Sequence, residues 1–167
     1  MHLSTRGRYA IMAMLDLAQL ASTSPRPVTL AQIADRQQIS LSYLEQLFAK
    51  LRKSGVVDSV RGPGGGYMIP KPLNLLWLAD IVGAVDEVID VTRCGAMGDP
   101  HGPAAGAGCV HGGKCNSHDL WSALGNHIET FLRRVNLQMV LDNDFALELL
   151  DEPAAPVMFQ GVRIVNS

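Results

Sequence analysis

Val56-Val57-Asp58-Ser59-Val60-Arg61-Gly62-Pro63-Gly64-Gly65-Gly66-Tyr67-Met68-Ile69-Pro70 is the stretch that decides the fold. Val56 to Arg61 reads as a strand, rich in β-branched residues. Gly62 to Gly66 reads as a turn, Tyr67 to Ile69 as the returning strand, and Pro70 closes it. Four of the five turn residues are glycine. A plain hairpin needs one or two, so the excess beside Arg61 favours close approach of the backbone to a ligand. A nucleotide-binding loop is a poor alternative, because no Gly-Lys-Ser/Thr occurs and no helix begins at the glycines.

The residues before this hairpin form helices. Ser4 or Thr5 caps a first, mostly apolar helix reaching about Ala21, and Ser22 to Pro27 breaks it. Thr29 is placed as the N-cap of a short helix, Leu30 to Gln37, with Leu30, Ile33 and Ala34 turned inward. After Gln38-Ile39, Ser40 caps a third helix to about Ser54, with a core stripe of Leu44, Leu47, Phe48 and Leu51. Gly55 stands where a left-handed residue terminates a helix. Two short helices joined by a brief turn, with Ile39 plugging the corner, fit a helix-turn-helix. The third helix would turn Ser42, Tyr43, Glu45, Gln46, Lys50 and Lys53 outward, where they can reach phosphates or base edges. A hairpin directly after such a helix makes a winged helix, with Arg61 at the wing tip suited to a minor groove. The candidate DNA-contacting set is therefore Ser40, Ser42, Tyr43, Glu45, Gln46, Lys50, Arg61, Gly64 and Gly65.

Charge agrees. Residues 1–75 carry nine Lys/Arg against four Asp/Glu, whereas residues 76–167 carry five against twelve, within a net charge of −2. A basic half beside an acidic half suggests that one end meets a polyanion. At 167 residues and 47% hydrophobic, the chain is expected to be one domain with an appendage and a real core. No apolar run approaches the roughly 18 residues of a membrane span, and the N-terminus is no signal peptide, so a cytoplasmic location is expected.

Beyond the hairpin, Leu75 to Val85 reads as a nearly apolar, buried fourth helix with Trp77 in the core. Then comes a segment of Gly, Ala, Pro and His that holds all three cysteines, Cys94, Cys109 and Cys115, with His118 just after them. Three thiols and an imidazole make a complete four-ligand set for a soft or borderline metal centre. The residues leave three chemistries open: an iron–sulfur centre, structural zinc, and thiol redox sensing, with Lys114 beside Cys115 able to lower a thiol pKa. The absence of short Cys-x2–4-Cys pairs leans away from zinc. His101 and His111 share the segment, and either could replace His118 as a ligand. After His118, Leu120, Leu124, Ile128, Phe131 and Val135 step by 4, 4, 3 and 4, widened by Trp121 and Leu132. That is a seam for a symmetric partner, and a two-fold dimer matches a palindromic DNA site. His127 on this helix reads as a packing or surface residue. No nucleophile–base or cofactor constellation of an enzyme is visible.

Ser40-Leu41-Ser42-Tyr43-Leu44-Glu45-Gln46-Leu47-Phe48, Leu51-Arg52-Lys53-Ser54-Gly55, Arg61 to Tyr67, and Ala84-Val85-Asp86-Glu87 through Thr92-Arg93-Cys94 closely resemble the IscR-type iron–sulfur cluster regulators, a bacterial winged helix-turn-helix family. The likeness covers about residues 1–145. It implies a homodimer that binds a [2Fe–2S] cluster through Cys94, Cys109, Cys115 and His118 and acts mainly as a repressor of cluster-assembly genes. It further implies that the cluster-free form keeps a separate DNA repertoire, and that Ser42, Glu45 and Arg61 contact bases. RNA polymerase and a cluster-assembly scaffold would be further partners. The alternatives are a zinc-stabilised or thiol-redox winged-helix regulator, or a related regulator responsive to nitric oxide or iron.

The expected organisation is mainly α with a small β wing. Residues 1–73 form the winged helix-turn-helix domain, 74–93 a linking buried helix and 94–118 the cluster-binding loop. Residues 119–150 form the dimerisation helix with short helical turns, and 151–167 a flexible tail. Two departures from the family pattern stand out. Residues 95–108 lengthen the span between Cys94 and Cys109 beyond the family's usual five or so, which adds only about 0.6 kcal/mol of closure cost per doubling. Gln38 replaces the usual glycine of the helix-turn-helix corner, a cost of about 1 kcal/mol where that residue is left-handed.

Overall fold

The computed structural model describes residues 5–24, 26–85 and 117–144. Helix α1 spans Thr5–Thr23, α2 Leu30–Gln37 and α3 Leu41–Lys53. Strands β1 (Asp58–Val60) and β2 (Gly66–Met68) pair antiparallel, with Ser59 opposite Tyr67. A 3-10 turn at Leu73–Leu75 leads to α4 (Leu78–Ala84), and α5 (His118–Arg134) and α6 (Leu137–Asp142) complete the described chain.

The helix-turn-helix forms for local reasons. Thr29 and Gln32 make a capping box: the Gln32 amide donates to Thr29 Oγ1 at 3.4 Å, and the Thr29 amide donates to Gln32 Oε1 at 3.0 Å. That satisfies two of the donors every helix start leaves open. At the other end Gln38 is left-handed (φ 53°, ψ 40°), and its Nε2 donates to the Asp35 carbonyl at 2.7 Å. The strain expected at this corner is present, and the side chain partly offsets it. Ile39 is buried in the corner, and Gly55 (φ 71°) ends the turn after α3 in the left-handed region. Ser40 occupies the N-cap of α3 but makes no side-chain capping bond.

One core joins all parts. Ala10, Ala13, Met14 and Leu17 of α1 meet Ile33, the α3 stripe of Leu44, Leu47, Phe48 and Leu51, and Ile81 and Val82 of α4. Leu132, Val135 and Leu137 from the C-terminal part are buried in the same cluster. Asp16 is buried there as well. The Arg36 Nε donates to both its carboxylate oxygens, at 2.8 and 3.1 Å, which ties α1 to α2.

Two regions depart from expectation. The apolar run from Leu75 to Val85 is not one helix: Leu76 and Trp77 are extended before α4 begins. The cause is a backbone bridge. Trp77 pairs with Asn136, the Leu78 amide donates to the Val135 carbonyl, and the Leu137 amide donates to the Leu76 carbonyl, both at 2.9 Å. Trp77 is half-buried rather than a core residue. The wing strands are also shorter than the apolar runs, because Val56 and Val57 are buried in the core instead of extending the sheet. Val28 supplies a third edge to the wing through paired bonds with Tyr67 at 3.0 and 2.7 Å.

Candidate nucleic-acid interface and metal centre

Helix α3 shows its polar face to solvent. Ser40, Ser42, Glu45, Gln46 and Lys53 are exposed, while Tyr43 and Lys50 are half-buried. Tyr43 is held by Tyr9, whose ring meets it edge-on with centroids 5.9 Å apart. Its ring therefore serves packing and leaves mainly the phenol end for a ligand. The last turn of α3 carries Lys50, Arg52 and Lys53, where the negative end of the helix dipole favours cations.

The wing is fixed to this helix at two points. Tyr67 of β2 packs its ring against Phe48, centroids 4.9 Å apart, and Arg52 Nη1 donates to Ser59 Oγ of β1 at 3.3 Å. Arg61, just past β1, is exposed. Arg52 did not stand out in the sequence. A basic residue in a helix's last turn is common, and its link to β1 depends on how the strand returns.

The turn itself accounts for the glycines. A Cβ on Gly65 would overlap the Val60 carbonyl oxygen, and one on Gly66 would overlap that of Val28. Gly62 and Gly64 have positive φ (103° and 79°), so the wing's own backbone requires all four glycines, whether or not a ligand approaches. Gly64 is exposed and Gly65 half-buried at the tip.

Of the four expected metal ligands, Cys94, Cys109 and Cys115 lie outside the described residues, as do His101 and His111. His118 is the first residue of α5. The anchors of the cysteine segment are described. It leaves from Val85 after α4 and returns to the N-terminus of α5, and these two helices pack together. Among the described residues no three His, Cys, Asp or Glu side chains gather into a metal site. The donor set itself, three thiolates and one imidazole, fits a soft metal centre. His127 is exposed on α5.

The expected seam on α5 divides. Leu132 and Val135 enter the chain's own core and Ile128 packs against it. Leu120, Trp121 and Phe131 remain 52%, 39% and 37% exposed, apolar surface that the chain leaves only partly covered. No helix among the described residues is long and apolar enough to cross a membrane.

A helix-turn-helix whose second helix presents polar and basic side chains, buttressed by a two-stranded wing, defines a winged helix-turn-helix DNA-binding protein. The family model described as "Rrf2: Iron-dependent Transcriptional regulator" matches residues 3–143. The chain belongs to the Rrf2 family and is a transcriptional regulator, not an enzyme. It is 45% identical over 149 residues to the HTH-type transcriptional regulator IscR of Enterobacter sp. (strain 638), covering 89% of this chain and 85% of that one. It is 46% identical over 151 residues to the IscR of Klebsiella pneumoniae (strain 342), covering 90% and 84%. Among solved structures it is similar to T. potens IscR, with a TM-score of 0.63, 29% identity and coverage of 93% and 94%. It is also similar to CymR, the global cysteine regulator of B. subtilis, with a TM-score of 0.65, 25% identity and coverage of 86% and 98%.

Proposed function

We propose that this chain is a cytoplasmic, cluster-sensing repressor of iron–sulfur assembly genes. It binds palindromic double-stranded DNA as a homodimer and carries a [2Fe–2S] cluster on Cys94, Cys109, Cys115 and His118. Ser40, Ser42, Tyr43, Glu45, Gln46 and Lys50 of the α3 region, with Arg61, Gly64 and Gly65 of the wing, face the DNA. Residues 1–73 form the reading head, 74–93 the link, 94–118 the cofactor loop, 119–150 the dimer part and 151–167 a tail. RNA polymerase and a cluster-assembly scaffold are its further partners.

The observation that carries this reading is where the four-donor segment attaches. It spans from α4, which packs in the core beneath the helix-turn-helix, to α5, whose Leu120, Trp121 and Phe131 are partly exposed. Holding the segment's two ends in fixed relation therefore couples the reading head to the subunit contact. When bound, the cluster supplies a redox-active centre whose occupancy follows the supply of iron and sulfide. The chain's own residues do the rest. Tyr67 and Arg52 hold the wing beside α3, Ser42, Glu45 and Gln46 face the major groove, and Arg61 faces the minor groove. A coupling of about 1–3 kcal/mol between loop and head changes operator affinity roughly five- to 150-fold.

The test is an anaerobic absorbance spectrum with iron and sulfide analysis, alongside operator titrations of filled and emptied protein. The Cys115→Ala variant should lose the visible absorbance and stay dimeric. Full iron and sulfide in that variant would rule out the ligand set, and stoichiometric zinc in a colourless wild-type chain would rule out the cluster. Arg61→Ala should weaken operator binding by about 1–3 kcal/mol, and unchanged affinity would remove the wing from the interface.

A further inference from the structure

A cleft of about 270 Å³ opens between the end of α1, the segment before α2 and the residues that follow β2. Its apolar lining includes Ala18, Tyr67, Ile69 and Leu73, and it carries the cations Arg26 and Lys71. Both cations are exposed, and among the described residues neither meets a carboxylate. The volume falls just below the usual range for small-molecule sites, roughly 300–1,000 Å³. It suits one or two large side chains of a peptide better than a cofactor-sized molecule.

The chain carries a segment with the complementary pattern. Asp151-Glu152-Pro153-Ala154-Ala155-Pro156-Val157-Met158-Phe159 places two carboxylates ahead of three consecutive apolar residues. This segment lies beyond the family match, which ends at residue 143. The described chain ends at Asp144, just after α6. Helix α6 packs against the 3-10 turn Leu73–Leu75 and against α1, and both of these contribute walls of the cleft. From Asp144 to Asp151 the backbone can span up to about 24 Å, against about 9 Å for the length of α6.

We propose that the cleft is the docking site of the chain's own segment 151–159. Met158 and Phe159 fill the apolar floor, and Asp151 and Glu152 lie against Arg26 and Lys71. The docked segment then covers two cations at the base of the wing. Arg26 stands two residues before Val28, which pairs with Tyr67, and Lys71 stands three residues after β2. Covering them lowers the positive potential that the wing side offers to a polyanion.

Hydrogen exchange on the full-length protein, without DNA, tests this directly. The Met158→Ser/Phe159→Ser variant should exchange several-fold faster at amides in 21–27 and 69–73, with the α3 core unchanged. Raising the salt should reproduce part of that change in the wild type by screening the acidic pair. Equal exchange in both proteins at low salt would overturn the proposal. So would protection that survives in the variant but disappears on exhaustive dialysis, since a small molecule would then be the occupant. Because this readout needs no DNA, it can fail while the regulator reading stands. As a second readout, the variant should bind operator DNA several-fold more tightly at low salt, and equal or weaker binding would overturn the masking role.

Discussion

Replacing Arg36 with Met should cost this fold about 2–3 kcal/mol, although Arg36 itself is half-exposed. The reason lies in its partner. The Asp16 side chain is completely buried, and that of Arg36 is 49% exposed. Its described ion-pair partner is the Arg36 Nε, at 2.8 and 3.1 Å. Removing one member of a buried pair usually costs about 3–5 kcal/mol, because the remaining charge keeps its desolvation penalty. Water can approach from the Arg36 side, so the value is discounted. The Asp16→Asn/Arg36→Met double variant removes the stranded charge, and it should recover to within about 1 kcal/mol of wild type. Urea unfolding of cluster-free protein at one fixed concentration, followed by helical circular dichroism, measures both. Arg36→Met within about 0.5 kcal/mol of wild type would refute the reasoning, as would a double variant no more stable than the single. The functional stake is that this pair ties α2, the first helix of the helix-turn-helix, to α1.

At the corner, Gln38→Ala keeps the left-handed strain and loses the bond to the Asp35 carbonyl. It should lose about 1 kcal/mol in the same urea assay, while Gln38→Gly should equal or exceed wild type. Gly66→Ala drives a methyl into the Val28 carbonyl and should destabilise by about 1–3 kcal/mol while weakening operator binding, read by thermal melts and gel shift. A Leu120→Asp/Trp121→Ser variant should shift sedimentation from dimer to monomer at micromolar concentration without lowering helical content, because both residues are exposed in the single chain.

The helix-turn-helix was legible because its signals are short-range. Thr29 with Gln32, Ile39 at the corner and Gly55 after α3 all act within a few residues of where they stand. What escaped depends on partners distant in sequence. The apolar run Leu75 to Val85 carries nothing to say that it breaks at Trp77, because the break is imposed by Asn136. Asp16 looks like a polar interruption of an apolar helix until Arg36 is folded against it. The sequence does not show that Gly65 and Gly66 are crowded by the carbonyls of Val60 and Val28, because those contacts form only when the hairpin folds back. The α5 stripe announced apolar contact but not its division between the chain's own core and an outward face. Residue chemistry made the four-donor set legible. Of its members, only the placement of His118 at the head of α5 falls among the described residues.

The bridge between Trp77 and Asn136 gives α5 the mechanics of a lever. Its far end is clamped by two backbone bonds and by the buried Leu132, Val135 and Leu137, so the fulcrum sits inside the reading head's own core. Seventeen residues make an arm of about 25 Å. A swing of only about 5° at the clamp carries the Ser117 end through roughly 2 Å, the scale of interface shifts that switch other proteins between states. A pull on the Ser117 end is thus delivered as torque to the core on which α3 rests.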